Sequence, residues 1–499
     1  MPRNPRLADD SSDLDGARIQ PAPRIGWLLR VNRTSRGVPL RSMAAELRKT
    51  GLSTSASALS RIEAEGLRHG AVIDGYEQVL RVTPGSLRAA IDLLCRTFDY
   101  APADQEPDLE PATLAGFSAA VDAVLEEAPT GGDWLRFARE HSGERGFGIT
   151  SSQMEPPVAR LASELSRSMG TAYTSRFEAL ARLRCSPYGD VVEDVVRAII
   201  SAPGTGALVD LMNVLSERPT PRVLAWAGGL LADEQRVVVL GAALVLENLR
   251  SVGGLTASDW RTVVPCFVEA YAGADRPRRL ILTRVFKTLP PHTRAAIRPA
   301  LTRPLEPLPG PSDWTRTRRN RHYEISRALA ARACAEVGLP EQPLLARLLF
   351  EVLYDFRGTR AATSANLLLA SPVADALHPL LVEATASGAD QATRVGAQGA
   401  LSLVQTGRHV PDVAGWLDAP DEDLAEAAAV VLGQAGVPLP DGALEAGLAG
   451  DEMRVRKVLY AAGMASHPRL AEISSDPGRP AAVRARAAWW VREGGRVTV

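Results

Sequence analysis

Lysine is nearly missing from this sequence: of 57 basic residues only Lys49, Lys287 and Lys457 are lysines. Arginine codons are GC-rich and lysine codons AT-rich, so the bias reads as the codon usage of a GC-rich genome. Cysteine is scarce as well. Cys95, Cys185, Cys266 and Cys334 stand far apart with no CxxC, which excludes zinc-ribbon spacing and a disulfide framework and fits reduced thiols. Long apolar runs are missing too, since the most apolar stretch, Val237 to Leu246, is about half of a membrane span. The opening MPRNPRLADDSSDLDGARIQPAPR has no apolar core and does not read as a signal peptide. The expectation is a cytoplasmic protein with no membrane partner.

Signatures of catalysis and of cofactor binding are also missing. There is no GK[ST] for a phosphate loop, no HExxH and no GxSxG, and Gly204-Thr-Gly206 lacks the remaining glycine of a dinucleotide loop. The seven histidines are scattered singly, which suits surface or core roles better than catalysis. No enzyme activity, no cofactor and no metal are expected.

What is there is 499 residues, 45% apolar and 23% charged, too many for one ordinary core. The net charge of −1 excludes a uniformly basic coat for nucleic acid, but the signs are segregated. Between Arg18 and Arg81 eleven basic residues face five acids; from Thr97 to Trp134 there are nine acids and no Lys or Arg. That reversal, with Pro102, Pro107 and Pro111, marks a boundary. The reading is a disordered arm over 1–23, a helical head over 24–98, an acidic proline-bearing linker over 99–133, and an α-helical body over 134–380 that continues as repeats over 381–499.

The body is rich in Ala, Leu and Arg, with Pro or Gly punctuating helices every few tens of residues. Leu344, Leu348, Val352 and Phe356 share one helical face, as do Phe177, Leu180 and Leu183. Near the end, Asp390 to Leu401, Asp421 to Gly433 and Asp451 to Gly463 recur at intervals of 31 and 30 residues. Each opens with Asp as an N-cap and continues with Ala and Val or Leu at helical spacing; Pro480 to Trp490 reads as a degenerate fourth copy. Trp489 and Trp490 are expected to cap the stack. The pattern resembles HEAT-like repeats, which implies an all-α, solenoid-type body; that body is expected to sense a protein, peptide or small ligand, or to hold two heads together.

The head carries the chemistry. Its first helix turns Trp27, Leu28 and Val31 inward, and its second, from about Pro39, turns Leu40, Met43 or Ala44, and Leu47 inward. The third opens at the candidate caps Ser53, Thr54 and Ser55, buries Leu59 and Ile62, and ends near Gly66. A fourth runs through Tyr76, Val79 and Leu80. A fifth is read with Thr83 as N-cap and Pro84 in the first turn, then Leu87, Ile91, Leu94 and Phe98 inward. A helix that reads DNA needs a buried stripe on one side and short donors on the other, so that its backbone can enter the major groove. Ala56, Ser57, Ser60 and Arg61 supply that flank, and Arg61 has the fork that chelates a guanine edge. Ser55 sits where backbone N–H groups aim at a phosphate. Arg33, Arg36, Arg41, Arg48 and Lys49 surround this helix in sequence and are candidate phosphate contacts.

These residues resemble a Cro/Xre-type (lambda-repressor-like) helix-turn-helix domain over about 24–95. The most specific piece is LSRIE (Leu59 to Glu63), and Tyr76 to Arg88 resembles similar regulators of GC-rich actinobacteria. The turn between Leu47 and Leu59 is longer than the family's, with Gly51 in it. The resemblance implies a five-helix domain on double-stranded DNA, base contacts from Ala56, Ser57, Ser60 and Arg61, and a homodimer on two half-sites. The functional expectation is a sequence-specific transcriptional regulator. The alternative is a scaffold of HEAT-like repeats with an accessory DNA-tethering head. The basic run from Trp314 to Tyr323 reads as a solvated loop or helix start, and it is the only hint of the DNA glycosylase activity that some HEAT-like proteins carry.

Overall fold

Three aspartates spaced along the last hundred residues show how the helices start. Asp390, Asp421 and Asp451 each accept a backbone N–H of the following turn, at 2.9 Å from Thr393, 3.0 Å from Asp423 and 2.9 Å from Arg454. They open the helices Gln391–Leu403, Glu422–Gln434 and Glu452–Met464, and Ala481–Glu493 follows as the fourth. Small residues stand where neighbours touch. A Cβ on Gly433 would lie 2.5 Å from the Cα of Ala461, and one on Gly463 would lie 1.9 Å from the ring of Trp490. Trp489 and Trp490 are both buried there, at the last helix of the stack.

The same logic runs through the whole chain. In this computed structural model residues 9–14, 16, 18–100, 113–142, 148–202, 204–205, 208–308, 315–407 and 411–498 are described. Among them the chain is all-α, with 27 α-helices forming a solenoid-like body and no strand. One isolated bridge pairs Ser168 with Val497. No helix among the described residues is long and apolar enough to cross a membrane. The basic run near 320 is a helix start, with Thr315 capping Arg316–Glu336.

The head comprises α1 (Pro21–Ser35), α2 (Leu40–Lys49), α3 (Ala56–Glu65), α4 (Gly70–Leu80) and α5 (Ser86–Thr97). Behind it come α6 (Leu114–Leu125), α7 (Gly131–Ser142), α8 (Ser151–Arg167) and α9 (Gly170–Arg184). Apolar residues gather into two main cores. One runs from the head into the helices between Leu329 and Trp490, the other takes in Ala89 of α5 and Val124 of α6 and runs on from Trp134 to Ile297. The end of the chain ties the two parts of the body together. Val497 N donates to Arg167 O at 2.9 Å, Arg167 returns a bond to Gly495 O, and Ser163 reaches Glu493 at 2.6 Å.

Two expectations are corrected. The described part of 1–23 is not a free arm. Asp10 is buried beneath Arg24, Ile19 joins the core, and Pro21 already begins α1. Arg347 donates to Ser12 O at 2.7 Å, Arg357 to Leu14 O at 2.8 Å and Arg360 to Gly16 O at 2.8 Å. A polar segment whose carbonyls find distant arginines is ordered without an apolar pattern of its own. The acidic linker is also shorter than read. Residues 101–112 lie outside the described residues, but Thr113 caps α6, which buries Phe117, Ala120 and Val124. The acids Asp122, Glu126 and Glu127 stand on exposed positions and do not overrule that apolar spacing.

The head is therefore built into the body. Arg24, wholly buried, bonds Asp10 at 2.7 Å, Glu351 at 2.7 and 2.8 Å and Ser364 at 3.1 Å. Glu351, on the helix Pro343–Tyr354, also takes Arg347 and Arg360 at 2.8 and 2.7 Å. A second buried carboxylate, Asp92 on α5, binds Arg68, Arg88 and, from α9, Arg182 at 2.6 Å. Glu351→Ala leaves Arg24 and Arg360 buried without their shared anion, a loss of about 3–5 kcal/mol. Amide hydrogen exchange over residues 9–35 should accelerate accordingly. Burial opposes ionisation of Glu351 and of Asp10, but Arg24 together with Arg360 and Ser364 at Glu351, and with Ser12 at Asp10, outweighs it and holds both below the usual carboxylate range. A depressed folded pKa gives stability that is present above about pH 4 and lost as pH falls through the folded value. The melting temperature of the native chain should thus drop between pH 5 and 3, both rough bounds. Glu351→Gln should melt lower at neutral pH and respond less to acid.

Candidate nucleic-acid interface

The position of α3 is fixed first by two glycines. A Cβ on Gly26 would stand 2.2 Å from Glu63 O, and one on Gly66 would stand 1.7 Å from Ala22 O. So α1 and the end of α3 touch backbone to backbone. Gly66 is also the left-handed C-cap of α3, at φ 64°. At the other end Ser55 Oγ accepts from Ala58 N at 3.1 Å. The inner stripe of α3 is Leu59, Ile62 and Glu63.

Glu63 is the anchor that the sequence reading left unassigned. Its carboxylate takes Arg33 Nε at 2.6 Å and Arg33 Nη2 at 2.7 Å, and the Tyr76 hydroxyl donates to it at 2.9 Å. Arg30 Nη2 adds a bond to the Glu63 carbonyl at 2.9 Å. Helices α1, α3 and α4 thus meet on one buried charge. Burial and the neighbouring Glu63 carboxylate both push the Tyr76 hydroxyl far above its ordinary pKa, so it remains a donor.

The outer flank of α3 faces solvent. Ser57, Ser60 and Arg61 are exposed, and Ala56 is half-buried. Ser57, Ser60 and Arg61 lie three and four residues apart, hence on one side of the helix. On α2, Met43, Ala44 and Leu47 point inward, while Arg41, Arg48 and Lys49 are exposed. Arg48 Nε leans on Ala44 O at 3.3 Å, and Lys49 pairs with Glu46 at 2.7 Å. The long turn is ordered. Leu52 N donates to Leu47 O at 3.1 Å, and Gly51, at φ 90°, closes the end of α2. Among the described residues, the side-chain hydrogen bonds and ion pairs of α2 and α3 all stay within the head. The head meets the body through other elements: Asn32 Nδ2 on α1 bonds Ala370 O at 3.0 Å, and Arg96 on α5 bonds Glu178 at 2.7 Å.

The ten residues singled out in the sequence therefore divide. Ser55, Ala56, Ser57, Ser60 and Arg61 share α3 and its cap, with Arg41, Arg48 and Lys49 on the neighbouring helix. Arg33 does not belong with them, because its guanidinium is buried against Glu63 and Val38 O. Arg36 is also apart. It bonds Asn32 O at 3.0 Å and lines the cleft between head and body. Nor is Thr83 the cap of α5. Its N-cap is Gly85, at φ 82°, and Glu77 supplies the missing acceptor from α4. The Glu77 carboxylate takes Gly85 N and Leu87 N at 2.7 Å and Arg88 N at 2.9 Å, while burial raises its pKa to about 7.

No family model matches the chain, and no curated protein does. Among solved structures it has a likeness to an engineered protein from the Northeast Structural Genomics Consortium, at 16% identity and a TM-score of 0.22. That match spans 76% of this chain and 100% of the other, and a likeness so slight carries no argument.

Glu63 gives a direct test of how α3 is held. Glu63→Ala strands the buried Arg33 guanidinium and should cost about 3–5 kcal/mol. Hydrogen exchange should show it as lost protection over residues 56–65, with the helices of the second core unaffected.

Proposed function

We propose that this chain is a sequence-specific DNA-binding regulator of the Cro/Xre type, whose α3 enters the major groove. The observation that carries this reading is the bare flank of α3. The head docks on the body through α1 and α5, and this leaves Ser57, Ser60 and Arg61 facing water. Short hydroxyl side chains let the helix backbone come close to base edges, and Arg61 offers its fork to the O6 and N7 of guanine. Ser55 and the first N–H groups of α3 meet a phosphate, with the positive end of the helix dipole behind them. Arg41, Arg48 and Lys49 contact the backbone and set the register without reading sequence.

A head of this size gives modest affinity, so two copies on half-sites about 34 Å apart are the natural solution. The body, read as HEAT-like, then orients the heads and receives a protein or peptide partner. The proposal places the protein in the cytoplasm with the genome.

The test is selection of genomic fragments by the full chain at moderate salt, followed by titration of the winning fragment. Arg61→Ala should cost about 1–3 kcal/mol on that fragment and relax preference at one base pair. Arg41→Ala should weaken specific and nonspecific DNA alike and lower the salt slope by about one unit. Selection that enriches no fragment, or equal binding by wild type and Arg61→Ala, sinks the reading.

A further inference from the structure

Between head and body lies a cleft of about 640 Å³ that the DNA reading does not use. That is within the usual range for a small-molecule site, roughly 300–1,000 Å³. Its walls come from separate parts of the chain. Arg36 enters from the end of α1, and Arg81 and Thr83 from the α4–α5 turn. Thr171 belongs to the first turn of α9, and Thr406 follows the helix Gln391–Leu403.

Three features give it one chemical character. Arg36 bonds only the carbonyl and amide oxygens of Asn32, and among the described residues neither it nor Arg81 has a carboxylate partner. Both are exposed, unlike the buried and paired guanidiniums of Arg24, Arg33, Arg68 and Arg88 in the same head. Next, α9 begins in the cleft and no side chain caps it, so its first N–H groups and the positive end of its dipole face the space. Finally, Arg81 holds a left-handed backbone, at φ 53° and ψ 43°, where glycine would sit without strain. The one carboxylate in the lining, Asp375, stands in the first turn of the helix Ala374–Ser387, where it offsets that helix's own dipole.

Two unpaired guanidiniums and an uncapped helix start suit an anion with several oxygens, and the hydroxyls around them suit a hydroxylated carrier. We propose that this cleft is a binding site for a small phosphorylated, hydroxyl-bearing metabolite. Its phosphoryl group meets Arg36, Arg81 and the N–H groups of α9, and its hydroxyls meet Thr83 and Thr171. Such a ligand contacts the head and α9 of the body at once. The site stands independently of DNA binding, and its test uses no DNA.

Calorimetric titration of the full chain compares ribose 5-phosphate, inorganic phosphate and ribose. Ribose 5-phosphate should bind one to one and ribose should not. Arg81→Gly removes the guanidinium while suiting the left-handed backbone, so this variant should melt no lower than wild type. It should bind ribose 5-phosphate at least tenfold more weakly, and Arg36→Gln should do the same. Inorganic phosphate that binds weakly and is lost in both variants supports the phosphoryl subsite. No heat with ribose 5-phosphate at millimolar concentration, or equal binding by both variants and wild type, overturns the proposal.

Discussion

The guanidinium of Arg24 lies out of water between the carboxylates of Asp10 and Glu351, and it joins the beginning of the chain to a helix more than three hundred residues later. Taking such charges out of water is costly, and the cost is offset only when every partner stays in place. Around Glu351 the partners are Arg24, Arg347, Arg360 and Ser364; around Asp92 they are Arg68, Arg88 and Arg182. Both clusters need residues of the head and of the body. Neither is complete if the head swings away, so the orientation of α3 on the solenoid-like body is set by electrostatics as much as by apolar packing.

A similar device works on a smaller scale inside the head. Glu63 lies in the most characteristic stretch of α3, yet it faces the interior and gathers Arg33 and Tyr76. One face of the short helix is thereby committed to structure, with Leu59, Ile62 and Glu63, and the other is left with Ser57, Ser60 and Arg61. The backbone contacts of Gly26 with Glu63 and of Gly66 with Ala22 set how far α3 stands from α1. Side chains that hold a helix and side chains that face outward thus alternate within ten residues.

Much of the helical skeleton was legible. Apolar spacing located the five helices of the head, Gly66 marked the end of α3, and the recurrent aspartates marked the starts of the late helices. What failed has a common cause. Arg33 looked like a surface cation because one sequence does not reveal which arginine faces a buried acid thirty residues away. Thr83 looked like a cap because the true acceptor, Glu77, reaches in from the previous helix. The residues before Pro21 looked free because their partners, Arg347, Arg357 and Arg360, are distant in sequence. Local pattern reports local structure. Long-range guanidinium–oxygen pairing leaves no mark in periodicity or composition, and in a chain where nearly every cation is arginine it decides which charges are available.

That preference for arginine has a practical side. Guanidinium groups do not react with amine-directed reagents and are not substrates for acetyl transfer to lysine, so the internal charge clusters are blind to both. The head contains a single primary side-chain amine, Lys49, which is 71% exposed on α2 beside α3. An acylating label would leave Arg24, Arg33 and Arg182 untouched and mark this surface at one position, a ready-made handle for footprinting whatever comes to rest there.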